Sequence, residues 1–148
     1  MEYTALVHKQ SHRLIFLGLC LLLLGLITGL LVPALANPRM AVSSHIEGVL
    51  NGMLLIIFGL IWPRMALSQR WFSISFWLAI FGTFMNWLGI LVAAIFDAGA
   101  MLNVLADGKE GPPAAEGFVT FSLLALSVAM IMVSVTILIG LHKGTQVD

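Results

Sequence analysis

Charge is what this 148-residue chain has least of: Lys, Arg, Asp and Glu together make up 9% of it, seven basic against seven acidic. A soluble domain carries about 25% charged residues, so an ordinary water-soluble globule is excluded. The formal net charge of zero and the lack of any basic run exclude a nucleic-acid binder and a polybasic arm for anionic surfaces. Cysteine occurs once, as Cys20, so the chain forms no internal disulfide and the thiol reads as a small buried packing group. No Ser/His/Asp grouping, P-loop or dinucleotide fingerprint is present.

What is there instead is apolar, 60% of all residues. The stretches 14–38, 40–63, 71–96 and 117–142 contain no Asp, Glu, Lys or Arg apart from Glu47. A bilayer-spanning helix needs about 20 apolar residues, and backbone polar groups inside lipid are satisfied within a helix. The expectation is an all-α integral membrane protein, a four-transmembrane-helix bundle in one domain over 1–148. Its spans fall at 14–36, 38–62, 71–96 and 117–141, and the short connections make neighbouring helices antiparallel. The first run ends in Ala34-Leu35-Ala36, as a cleaved secretory signal does. A signal's apolar region is only about 7–15 residues long, so this stretch reads as a retained helix. Lys9, Arg13, Arg64, Arg70 and Lys143 fall on one side, Arg39 and Lys109 on the other. The basic excess predicts both termini in the cytoplasm, with the 97–116 connection, rich in glycine and proline, outside as an ordered or partly mobile loop.

Small residues recur within the spans: Gly18, Gly25 and Gly29; Gly48 and Gly52; Gly82 and Gly89 with Asn86; Ser122, Ala125 and Ala129. Such stripes let helix backbones approach closely. Four helices of this length cover one another poorly, which favours a homo-oligomer.

Polar groups inside a span are costly and point to function. They concentrate in His45-Ile46-Glu47-Gly48-Val49-Leu50-Asn51-Gly52. Two helix starts are open. Asn37 as N-cap with Pro38 at the first helical position puts His45 two turns inside. Ser44 as N-cap with Glu47 three residues on would be a capping box, with Glu47 tying off a helix end. His45 reads either as a hydrogen-bonded interfacial histidine or as a ligand to iron or zinc. Its helical neighbours Gly48 and Gly52 leave room for a flat group such as a porphyrin face, or for another helix. Four protein ligands for zinc are lacking, because His8, His12 and His142 lie at the chain ends. A single histidine at membrane depth leaves one iron face open, which suits catalysis better than electron transfer, unless Met or a second copy of His45 completes the iron.

In the third span Asn86 is an amide among Phe84, Met85 and Trp87, suited to gluing helices or to orienting a substrate. Phe81, Phe84, Trp87 and Phe96 offer an aromatic wall or simple packing. Trp62, Trp71 and Trp77 suit an interfacial belt, with Arg64 and Arg70 as anchors. Glu116 precedes the fourth span, where a carboxylate complements the helix dipole, whereas Asp97 ends the third, where it does not. A small multidrug exporter needs a carboxylate in its first span, and this first span has none.

The stretch Asn37-Pro38-Arg39-Met40, then Ser44-His45-Ile46-Glu47-Gly48-Val49-Leu50-Asn51-Gly52-Met53, then Ile61-Trp62-Pro63-Arg64, resembles the hydroxylaminobenzene mutases. So does Gly82-Thr83-Phe84-Met85-Asn86-Trp87-Leu88, and the four-span plan covers the whole chain. More distantly, histidine followed six residues later by Asn-Gly-Met is similar to the styrene oxide isomerases. Those are four-helix membrane enzymes with a b-type haem held between subunits of a trimer. The resemblance implies His45 as the axial iron ligand, with haem beside the Gly48 and Gly52 already singled out by spacing, and Asn51 as a substrate-orienting amide. Asn86 and Glu47 would be further catalytic groups. The isomerases also use an aspartate and a tyrosine on the third helix. Registering that helix on Asn86 puts Gly82 and Ile90 there, and the single tyrosine is Tyr3. That favours the mutase reading: conversion of a small aromatic hydroxylamine to an ortho-aminophenol by a haem-bearing enzyme of a bacterial cytoplasmic membrane. An epoxide isomerase, or a non-enzymatic membrane haem or electron-transfer protein, is the alternative.

Overall fold

In a computed structural model, which describes residues 2–145, the regular structure is all helical, with no strand among the described residues. The helices are α1 (Glu2–Leu31), α2 (Pro38–Ile61), α3 (Gln69–Phe96), a single turn α4 (Asn103–Ala106) and α5 (Pro113–Gly144). Helices α1, α2, α3 and α5 are long and apolar enough to cross a membrane, which makes this a multi-pass membrane protein. Prolines set the boundaries. Pro33 and Pro63 cannot extend a helix, so α1 and α2 each end in a short tightened turn, Val32–Ala34 and Trp62–Arg64. Pro38 and Pro113 open α2 and α5, where a missing N–H costs nothing.

Two helices exceed their apolar runs. The first begins at Glu2 rather than at residue 14, because its polar first turns have partners. Ser11 Oγ donates to Gly59 O (2.7 Å), and Tyr3 Oη donates to Leu67 O (2.6 Å). Gln10 Oε1 accepts from Trp62 Nε1 (3.1 Å). Trp62 is therefore fully buried and not part of an interfacial belt, whereas Trp71 and Trp77 are exposed. The fourth span begins at Pro113, so Glu116 lies in its first turn rather than before it.

Packing follows chain order. Helix α1 lies on α2, α2 on α3 and α3 on α5; α1 also reaches α3, but no Cα of α5 comes within 8 Å of α1 or α2. The α1–α2 seam is made by glycines. A methyl on Gly25 would stand 2.6 Å from Val49 N, and one on Gly52 2.6 Å from Leu22 N, so neither position admits a side chain without spreading the helices. Between α3 and α5, Gly82 faces Met130 and Ala129, and Gly89 faces Ser122. The main core gathers Leu14, Leu21, Leu55, Trp62, Phe72 and Val133. A second, alanine-rich cluster around Met40, Ala93 and Val119 closes the end beneath α4.

Candidate active site

The depth of the polar stretch in α2 rests on its N-cap. Asn37 has extended backbone, and its side-chain oxygen accepts from Met40 N (3.2 Å). The start at Asn37 is thus the one the chain uses. Ser44 caps nothing: it is fully buried and donates to Trp87 O across the α2–α3 contact (3.1 Å). The capping-box reading of Glu47 falls with it. Helix α2 has already made two turns when it reaches His45.

Successive residues then fan out by about 100° each. His45 turns toward α1, where its Nδ1 lies 2.8 Å from Gly25 O. A carbonyl oxygen only accepts, so Nδ1 is the donor in this contact, which in the neutral ring leaves the lone pair on Nε2. The ring rests flat on α1 because Gly29 is there: a methyl on Gly29 would stand 2.7 Å from Nδ1 and 3.0 Å from Cε1. Gly48 and Gly52 also meet α1, and Gly48 meets Trp87 as well. The room beside these two glycines is taken by a helix of the same chain. Of the two readings, room for a flat group or for another helix, these contacts are those of a helix.

Glu47 turns the other way, toward α3. Its Oε2 accepts from Asn51 Nδ2 (3.0 Å) and from Asn86 Nδ2 (2.6 Å), and Asn51 Nδ2 also donates to Glu47 O (2.9 Å). Three residues singled out separately in the sequence, on two helices, thus converge on one carboxylate oxygen. Asn51 is 7% exposed, Glu47 and Asn86 half-buried. The two ion pairs among the described residues, Lys109–Asp97 and Arg39–Asp107, lie elsewhere, so neutral amides hold this carboxyl. Asn86 is interhelical glue and a polar group at the site at once.

Behind the amides, Trp87 Nε1 donates to Thr28 Oγ1 (3.1 Å), joining α3 to α1 across α2. Thr28, Gly25 and Gly29 line the α1 side of the site, a role that spacing alone did not show. The stripe of glycines marked a face; what the face would meet was hidden. Phe96, placed with the aromatic wall, is exposed. At the loop end Asp97 takes a left-handed backbone at the C-cap of α3 and accepts from Asn37 Nδ2 (2.7 Å), with Lys109 Nζ 3.1 Å away. The bond from Asn37, then that from Lys109, hold its carboxyl below the ordinary 3.8 against the opposing effect of burial, with the lysine's charge a lesser help. Its position against the helix dipole is thereby explained as a tie between α2, α3 and the loop.

Among the described residues no three His, Cys, Asp or Glu side chains gather to hold a metal ion. An iron brought by a porphyrin needs only one protein donor, and His45, with its tautomer set by Gly25 O and its Nε2 unengaged, fits that need.

The sequence profile of the styrene oxide isomerases matches residues 10–142. The chain is 46% identical over 135 residues to hydroxylaminobenzene mutase HabB of Ectopseudomonas oleovorans, covering 90% of this chain and 82% of that protein. It is 50% identical over 127 residues to hydroxylaminobenzene mutase HabA of the same organism, covering 85% and 94%. No solved structure matches.

Proposed function

The chain belongs to the styrene oxide isomerase family and is an isomerase, and from that premise we propose that it converts an arylhydroxylamine, such as hydroxylaminobenzene, to the ortho-aminophenol. The observation that carries this reading is the meeting of Asn51 and Asn86 on Glu47 Oε2. It sets a carboxyl group inside an apolar span, held on one oxygen by two neutral amides. Gly82 and Ile90, both buried, stand where an epoxide isomerase of the family has its aspartate and tyrosine, and favour the mutase over the isomerase of epoxides.

The reaction needs one proton lent and returned. Glu47 gives a proton to the hydroxylamino oxygen, and the N–O bond breaks with its electron pair going to oxygen, which departs as water. The positive charge spreads into the ring; the retained water bonds to the ortho carbon and sheds a proton that restores Glu47. The ring C–H proton moves to nitrogen as aromaticity returns. Atoms and electrons balance without a cosubstrate. Asn51 and Asn86 fix the carboxyl and orient the hydroxylamino group by hydrogen bonds, and the surrounding apolar side chains limit capture of the cation by bulk water. A haem b held on His45 Nε2 would supply Lewis acidity.

Our reading further places the protein in the cytoplasmic membrane of a bacterium, with antiparallel spans and both termini in the cytoplasm. The seam pairs Gly18 with Gly52 and Gly25 with Gly48, one rising as the other falls, which supports the antiparallel order. The basic excess at the ends of α1, α2 and α5 supports the orientation. His45 is half-buried and beside exposed Val42 and Ile46, so a flat group on it would lie at the surface of one chain. A homo-oligomer, a trimer in our reading, covers that surface.

The test is turnover of phenylhydroxylamine by purified protein with no cosubstrate, the product identified by chromatography. Production of 2-aminophenol is expected, and Glu47→Gln should slow it at least ~100-fold while keeping the helical content. An absent product, or a Glu47→Gln variant as fast as the parent, would overturn the reading.

A further inference from the structure

The site above leaves unused a long groove on the far side of the molecule, between the start of α3 and the last turns of α5. It measures about 660 Å³ and is walled by Leu67, Trp71, Ile131, Val135 and Ile139, with Ser68 and Lys143 at its polar end. We propose that this groove binds one anionic phospholipid, its headgroup phosphate on Lys143 and an acyl chain along α5.

Three observations support that occupant. The first is length. From Ile131 to Lys143 the helix rises about 18 Å at ~1.5 Å per residue. A bilayer core is about 30 Å thick, so the groove runs from the charged end to near mid-membrane. A lipid of one leaflet has that reach, whereas a partner's spanning helix needs nearly twice as much. The second is charge. Among the described residues Lys9, Arg13, Arg64, Arg70 and Lys143 lie at this end with Glu2, a basic excess, while Asp97, Asp107, Glu110 and Glu116 lie at the other with Arg39 and Lys109. Neither ion pair among the described residues involves Lys143. An exposed ammonium on a long apolar stem beside an exposed indole suits a phosphate at the interface. The third is rigidity. The 65–68 connection is anchored to α5 by Ala66 N donating to Gly140 O (2.9 Å), and to α1 through Tyr3. Gly140 has no side chain because Met65 and Leu67 lie against it. Thr136 turns its hydroxyl back onto Met132 O, leaving the wall apolar (2.8 Å).

Native mass spectrometry of the full chain in a neutral detergent, with added phosphatidylglycerol or phosphatidylcholine, tests this directly. Retention of one phosphatidylglycerol per chain, well ahead of phosphatidylcholine, is expected. Lys143→Gln should lower its affinity about fivefold, the worth of one cation near an anionic surface. Val135→Trp, which fills the apolar channel, should lower both lipids' retention with the helical content and phenylhydroxylamine turnover unchanged. Equal retention of the two lipids, or retention indifferent to both variants, overturns the proposal. So does a change of subunit number in Val135→Trp without any change in bound lipid, because a second copy would then be the occupant.

Discussion

His45 and Glu47 stand about 200° apart around α2, and that angle divides their work. The imidazole is seated against α1, with its Nδ1 engaged by Gly25 O, so Nε2 is the nitrogen left for a ligand. The carboxyl faces α3, where two amides hold one of its oxygens. The seat of His45 is the more fragile of the two, because it depends on the absence of one methyl group. Gly29→Ala would drive a carbon to within 2.7 Å of Nδ1, so the ring must turn and release Gly25 O. Overpacking of this kind costs about 1–3 kcal/mol, and a drop in thermal unfolding temperature should report it. If the protein binds haem through His45, its absorption spectrum should shift in the same variant. An unchanged melting point would mean the ring is not held as described. The residues themselves were legible from sequence, since a charge or an imidazole stands out in an apolar run. Their partners were not: helical periodicity shows which face a residue is on, and only packing shows which helix covers that face.

At the scale of helices, the ends carry as much information as the spans. Asn37 does two things: its oxygen caps α2, and its amide nitrogen donates to Asp97 at the C-cap of α3. Glu116, in the first turn of α5, accepts from Ala100 N and Gly111 N, so the 97–112 connection is tied down at both ends. The apolar runs made four helices readable, and Pro38 with Asn37 made one start readable. Asp97 looked misplaced because its partners, Asn37 and Lys109, come from other parts of the chain. The bond from Asn37, then that from Lys109 and the lysine's charge, depress its carboxyl below 3.8. A depressed acid stabilises the fold above its unfolded value and loses that contribution as pH falls through the folded one. Thermal unfolding should therefore show Asp97→Asn less stable than the parent near neutral pH, with the gap closing below pH ~4. A gap that stays constant on acidification would remove the ionised tie from the account.

For the whole molecule, the serial packing of α1, α2, α3 and α5 leaves much of α1 and α5 uncovered: Phe16, Leu23 and Leu30 on one, Phe121, Val128 and Leu138 on the other, are exposed. Lipid covers such faces without penalty, so exposure alone does not demand a partner. His45 makes the difference. Its ring is half-buried, Val42 and Ile46 next to it are exposed, and Gly48 and Gly52 are closed off by α1. A group bound on Nε2 would meet either acyl chains or another copy of the protein. Electrostatic help at a reacting centre requires fixed dipoles close by, which fluid lipid does not provide. The complete site is thus expected only in the assembly. Ile46→Trp places a bulky ring on the surface that would meet the neighbour while leaving His45, Glu47 and both asparagines intact. Size-exclusion chromatography with light scattering should show the parent as a homo-oligomer and the variant as a smaller species. Phenylhydroxylamine turnover should fall in step with the loss of the larger form. Full turnover by a monomeric variant would mean that one chain holds the whole site, and the open face beside His45 would then need another explanation.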